Sequence, residues 1–227
     1  MKKIILGVAA VATLTSSVMA LDLVDKDESV FVQVGLNTEG EVDHSHMQMY
    51  DTNGNPMNNP NRLQGTSQEQ AWEISIGLEE KVENGEFGSR KILTFYDAGE
   101  ITRYDGTYKA YNQNYGLEGT YEVYYNLSKY FRPAIGAGIG INMLHHKDDG
   151  WREIKEYSPT VHLSAGISGE IYAGIGYYAN YKYRFANNSE RTVPLDRSGG
   201  VLPLDFVKVT LDGAEGGKAL VGLSYNF

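Results

Sequence analysis

His162-Leu163-Ser164 places an imidazole and a hydroxyl two residues apart, and on a β-strand that spacing puts both on one face. A serine nucleophile needs a base within hydrogen-bond reach and an acid to orient that base. The acid is missing from the local pattern, because Ala165 follows, and interior polar packing is the simpler reading. A second group is His44, His46, His145 and His146, with Asp43, Met47 and Met49 nearby. Imidazole and thioether donors suit copper or zinc, yet nothing local brings the two histidine pairs together, so no metal is expected. Asp51-Thr52-Asn53-Gly54-Asn55 opens like a calcium loop, but Arg62 stands where the closing bidentate Glu belongs. It reads as a turn-rich loop tip. No glycine loop sits at a strand-to-helix junction, so nucleotide chemistry has no support. No catalytic residue and no cofactor is expected.

The elements that would carry these residues follow a period of two, the strand period, from Val30 onward. Val30, Val32, Val34 and Leu36 alternate with Phe31, Gln33, Gly35 and Asn37. Trp72 to Glu79, Thr120 to Leu127, Ile135 to Asn142, Val161 to Ser168, Ile171 to Phe185 and Ala219 to Phe227 repeat the pattern. An eighth strand is expected around Arg90 to Asp97, where both stripes are partly apolar and the facing stays open. No stretch offers an amphipathic helix.

The connections set the topology. Glu39–Gln70, Gly99–Tyr115, Leu144–Tyr157 and Ala186–Gly217 read as longer loops, the second with an Asp105-Gly106 turn. Between them come short segments at Glu83–Glu86, Ser128–Tyr130 and Ser168–Glu170. Long and short connections in alternation are the rhythm of an up-and-down transmembrane barrel, with loops outside the cell and turns in the periplasm. Eight strands put both chain ends on the turn side. Ten remain open, because Val207, Val209 and Leu211 alternate within the last loop, although a strand extension above the membrane is preferred there.

Composition agrees. The chain of 227 residues has 26 Gly, 17 Tyr, 7 Phe, 6 Pro and no Cys, so neither disulfides nor a lipoprotein anchor is expected. Residues 1–20 read as a signal peptide, with Lys2 and Lys3, an apolar run from Ile4 to Leu14, and Val18-Met19-Ala20 before the cut; residues 21–227 form the barrel domain. Mean hydropathy is −0.38, and no later run is long enough for a membrane helix. Net charge is −9, and loss of Lys2 and Lys3 makes it two units more negative, a poor match for nucleic acid.

In this reading the aliphatic stripes meet lipid, and Glu73, Glu79, Glu122, Lys182 and Arg184 turn inward among glycines and hydroxyls. Charges of both signs in a narrow barrel pair with one another, which gives a packed polar core and leaves a conducting lumen as the alternative. Tyr124, Tyr125, Tyr130 and Phe131 near one turn, and Tyr181, Tyr183 and Phe185 at the far end, read as interfacial belts. A soluble lipocalin-type barrel or a periplasmic sandwich is the competing architecture. Glycines crowding the polar stripes, and the alternating connections, favour the membrane.

Two segments resemble a known group. Lys218–Phe227, KALVGLSYNF, is similar to the last strand of outer-membrane β-barrel proteins. The resemblance implies that Val221, Leu223, Tyr225 and Phe227 serve as the signal read by the barrel-assembly machinery. Tyr125–Met143, YNLSKYFRPAIGAGIGINM, resembles the central hairpin of small OmpA-type and porin-like barrel domains. The chain stops at this strand, so the anchoring role of the periplasmic domain that follows many OmpA-type barrels is not carried over. His162-Leu163-Ser164 is similar to the His-x-Ser pattern of barrel enzymes that deacylate lipopolysaccharide, but lacks the Asn that follows there. The resemblance implies an outer-membrane location, contact with outer-membrane lipid and lipopolysaccharide, and a monomer. The expected function is structural or surface-interacting; a narrow channel for small solutes is the alternative, and a lipid-modifying enzyme the weakest reading.

Overall fold

The computed structural model describes residues 27–39, 46–51, 65–68, 71–105, 108–148, 153–186, 189–194, 204–211 and 216–227. The signal-peptide reading of residues 1–20 lies outside them. The described residues form strands and the turns between them: β1 (Glu28–Glu39), β2 (His46–Asp51), β3 (Gly65–Gln68), β4 (Trp72–Glu80), β5 (Phe87–Asp105), β6 (Tyr108–Tyr125), β7 (Arg132–Asp148), β8 (Ile154–Tyr172), β9 (Ile175–Ala186), β10 (Ser189–Pro194), β11 (Leu204–Leu211) and β12 (Gly216–Asn226).

Eight of these close into an antiparallel barrel in the order β4-β1-β12-β9-β8-β7-β6-β5, with β5 returning to β4. Closure leaves no open edge, which a sheet in hydrocarbon requires. The strands are tilted. A row of laterally paired residues starts at Glu79, opposite Ser29 of β1, and runs through Arg90, Glu122, Gly136, Ser164 and Lys182 to Lys218. It rejoins β1 near Glu39, ten positions along from Ser29. That stagger is the shear of a barrel, and it turns residues in one row into a spiral climbing the interior.

The facing is inside out relative to a soluble barrel. Ile135 and Ile139 are 68% and 71% exposed, and Leu117, Tyr121, Ile141, Val161, Leu163, Val221 and Leu223 are exposed with them. Buried polar groups outnumber buried apolar ones, and they include Glu73, Glu79, Glu122, Lys182 and Arg184. An aliphatic band of this kind around a closed sheet matches hydrocarbon, not water. The strand from Arg90 also takes a definite facing: Arg90, Thr94 and Tyr96 point inward, Leu93 and Phe95 outward.

Five expectations need correction. The stretch 99–115 is not a loop: β5 and β6 run on to Asp105 and from Tyr108, making a hairpin that rises past the membrane band. The next loop shrinks likewise, since β7 reaches Asp148 and β8 begins at Ile154. Polar residues fall on both stripes of these extensions, so they carry no clear alternation to read. The turn placed at Ser168–Glu170 lies instead at Ala173-Gly174, because β8 continues to Tyr172 and the hairpin closes through two residues of positive φ, 46° and 83°. The stretch around Val207 is neither a ninth barrel strand nor the extension of one. β11 pairs with β10 and β2 in a separate three-stranded sheet, which ties the β1–β4 connection to the β9–β12 connection. Finally, Tyr124 is no belt residue. It points inward, while Tyr130, Phe131, Tyr181, Tyr183 and Phe185 are exposed outside.

Candidate functional site: the charged barrel interior

Strand parity brings every second residue of the eight strands to a common axis, and the charges there sort into two layers. Near the turn end, Arg90 Nε lies 2.7 Å from Glu79 Oε2, and Arg90 Nη1 lies 2.8 Å from Glu122 Oε1. Arg132, at the start of β7, reaches Glu79 Oε1 at 2.6 Å and donates through Nε to Asn126 Oδ1 at 3.2 Å. Both guanidinium groups flank the ring of Tyr124, at 4.5 and 5.7 Å from its centroid, and the Tyr124 hydroxyl donates to the Glu80 carbonyl at 2.6 Å. Two cations thus face two carboxylates, and planar guanidinium forks hold them in fixed geometry.

Toward the loop end the centre is Glu118, which is wholly buried. Its carboxylate accepts from Arg184 Nε at 2.7 Å and from Lys182 Nζ at 3.0 Å, and His162 Nδ1 stands 3.7 Å away. Lys182 also faces Glu73 at 3.6 Å, and Glu73 accepts from the Tyr178 hydroxyl at 3.2 Å. The Arg184 guanidinium stacks 4.0 Å from the centroid of Tyr96, whose hydroxyl donates to Asn142 Oδ1 at 2.8 Å. Between the layers, Ser75 and Thr94 share a hydrogen bond of 2.9 Å.

The glycines of β7 make room for this core. A Cβ on Gly138 would stand 2.5 Å from the His162 ring and 2.3 Å from the Gly119 carbonyl oxygen. Among the described residues, interior cavities of about 30, 20 and 20 Å³ are each water-sized.

The five charges picked from the sequence fall into these two layers, Glu79 and Glu122 in one, Glu73, Lys182 and Arg184 in the other. Arg90, Arg132, Glu118 and Lys218 complete them beyond the sequence expectation, together with His162, which the sequence reads as interior polar packing. Glu118 and Lys218 continue inward stripes by two positions, a parity signal present in the sequence. Arg132 sits against a turn, where parity says little.

Of the groups weighed for chemistry, His162 and Ser164 share the interior face but no hydrogen bond joins them. His162 Nε2 lies 2.9 Å from Thr120 Oγ1, while the Ser164 hydroxyl has no hydrogen-bond partner among the described residues. His145 Nε2 stands 2.6 Å from Glu153, which Lys155 also reaches at 2.7 Å. That ammonium holds the Glu153 carboxyl below its ordinary range. His44 and the side chains of His46 and His146 lie outside the described residues, as does the loop after Asp51. Among the described residues no three His, Asp or Glu side chains are grouped to hold a metal.

No protein-family model matches the chain, and no curated protein sequence matches it. Solved structures do. The outer membrane protein OprG from Pseudomonas aeruginosa is 10% identical with a TM-score of 0.53, over 90% of this chain and 97% of that one. OprH from the same organism is 20% identical with a TM-score of 0.46, over 88% and 99%. A major outer membrane protein from Thermus thermophilus is 12% identical with a TM-score of 0.49, over 88% and 99%. The closed eight-stranded order, the apolar exterior and the likeness to OprG agree: this chain has the fold of the small outer-membrane β-barrels of OmpA type.

Proposed function

We propose that the protein is a non-enzymatic barrel of the outer membrane which holds a surface structure in place and does not conduct solutes. The turns and both described ends then face the periplasm, and the loop end faces outward. The observation that carries this reading is the interior: among the described residues, paired charges fill it in two layers, with cavities of about 30, 20 and 20 Å³ beside them. A hydrated ion needs a wide continuous path, and an interior crossed by ion pairs with cavities of that size argues against one. Material is instead invested at the loop end. Strands β5 to β8 have 17 to 19 residues, where about 9–11 suffice to span hydrocarbon. The β10-β11-β2 sheet adds a surface drawn from two connections. Display on a rigid scaffold is the use such surfaces have.

In the same reading the partners are outer-membrane lipid and lipopolysaccharide around the band, with the barrel-assembly machinery reading Val221, Leu223, Tyr225 and Phe227. The protein works as a monomer. Planar-bilayer recording tests the central claim. Folded protein inserted at high copy number gives flat traces, whereas discrete, reproducible conductance steps would favour a channel.

A further inference from the structure

The inward stripe of β8 carries three small residues in succession, Ser164, Gly166 and Ser168. Asn180 of β9 stands directly opposite Gly166. With side chains on either side of Gly166 and none on it, the wall has a notch there. A Cβ at Gly166 would lie 2.5 Å from the Ala179 carbonyl oxygen, so β8 itself cannot fill the notch. The result is a cavity of about 30 Å³ lined by all four residues. Ser164 and Ser168 are each only 7% exposed. Their hydroxyls and the Asn180 Oδ1 are buried, and none of the three has a hydrogen-bond partner among the described residues. Three orphan oxygens around one cavity are costly unless something inside it bonds them.

The charges that line the cavity decide what that is. Arg90 and Glu122 of the turn-end layer meet Glu73 and Lys182 of the loop-end layer there, and they are paired, Arg90 with Glu122 at 2.8 Å and Lys182 with Glu73 at 3.6 Å. Two cations against two carboxylates leave nothing for an ion to balance, and an ion would lose its hydration on entering. The occupant is therefore neutral. Asn180 Oδ1 needs a donor, while each serine hydroxyl can both donate and accept. Water meets both demands, and at about 10–15 Å³ for each molecule the volume admits about two. We propose that this notch is a binding site for a pair of ordered waters, which bond Ser164 Oγ, Ser168 Oγ and Asn180 Oδ1. They fill the step between the two charged layers.

Crystals of the whole protein, diffracting well enough to show ordered solvent, test this directly. Density for two waters within hydrogen-bond reach of the three oxygens supports the site. A notch without such density, or serine and asparagine side chains bonded directly to one another, overturns it. A second measurement needs no crystal. In detergent micelles, with unfolding by urea, Ser164→Ala and Ser168→Ala should each shift the equilibrium toward the unfolded state by about fivefold, the worth of one ordinary hydrogen bond. A hydroxyl with nothing to bond makes no such contribution, and its removal relieves a buried orphan. Unchanged or raised stability in either variant therefore overturns the proposal.

Discussion

Arg90 and Glu79 stand directly opposite each other on β5 and β4, and their side chains meet inside the barrel at 2.7 Å. On its other side Arg90 is the lateral partner of Glu122 on β6, so one guanidinium bridges three neighbouring strands in a single row. Because that row is a turn of the barrel's spiral, the ion pairs act along the hydrogen-bonding direction. They fix the register of β4, β5 and β6 as well as filling space. A one-residue slip would send Arg90 to the lipid face and bring Ser89 or Lys91 in opposite Glu79 and Glu122.

Removing Arg90 should therefore be costly. Glu79 would keep Arg132, but Glu122 would be left buried with no cation in reach. Arg90→Met is expected to lower folding stability by about 3–5 kcal/mol, the usual cost of breaking a buried pair from one side. Adding Glu122→Gln should recover a substantial part of it. Urea titration followed by gel mobility measures both. If the double variant is no better than the single one, the pairing between Arg90 and Glu122 is not what the loss reports.

The β8–β9 turn offers a gain. A two-residue hairpin turn with positive φ at both positions suits Asn or Gly first and Gly second. Here Ala173 holds φ 46° with a Cβ that disfavours it, and Gly174 follows at 83°. Ala173→Gly or Ala173→Asn should stabilise the barrel by about 0.5–1 kcal/mol. Gly174→Ala should do the reverse, since the new Cβ would lie 2.6 Å from the Asn226 carbonyl oxygen. Equal midpoints for all three would show that the turn bears no strain.

That turn leaves no local mark in the sequence. Alternation continues in phase from Ile171 through Phe185, and Ala173 carries no turn signature, so the reversal was hidden inside what reads as one strand. The barrel itself was legible because lipid on one side and a crowded axis on the other impose opposite demands on alternate residues. Where that contrast fades, so does the signal. Past Asp97 and before Tyr115 polar residues occupy both stripes of the hairpin, and its strands read as loop. On β5 both stripes hold large apolar residues, Ile92 and Tyr96 against Leu93 and Phe95, and the facing is decided by Arg90 having Glu79 and Glu122 beside it. Pairing across strands is three-dimensional information. Parity marks Glu118 as inward, but its place at the centre of the upper layer depends on Lys182 and Arg184, more than sixty residues away.

The outward facing has its own test at Ile139, which lies mid-strand on β7 and is 71% exposed. In bilayers Ile139→Arg should cost about 2–4 kcal/mol, the range for a cation near the midplane of a barrel's lipid face. Gly138→Ala, one residue along, should cost about 1–3 kcal/mol for a different reason, overpacking against the His162 ring and the β6 backbone. The two losses separate with solvent. In detergent micelles, which let water reach an outward arginine, the Ile139→Arg loss shrinks and the Gly138→Ala loss stays. A loss at Ile139 that is independent of the surrounding amphiphile would contradict the lipid-facing assignment.

The last strand allows assembly to be told apart from stability. Tyr225 and Phe227 stack edge to face with centroids 4.8 Å apart on the outer surface, and the Phe227 amide donates to the Val30 carbonyl at 2.9 Å. The backbone bond survives any side-chain change at position 227, and an exposed aromatic pair contributes only about 0.5–1.5 kcal/mol. Phe227→Ser should therefore leave refolding from urea into detergent nearly intact. If the terminal stripe is read by the assembly machinery, the same substitution should cut the amount of folded protein in the cell envelope several-fold. Heat-modifiable gel mobility of membrane fractions, set beside the in vitro yield, gives the comparison. Matching losses in both settings would make Phe227 a packing residue and nothing more. A loss confined to the cell would place its role in delivery, because lipid and backbone are equally available to the strand in either case.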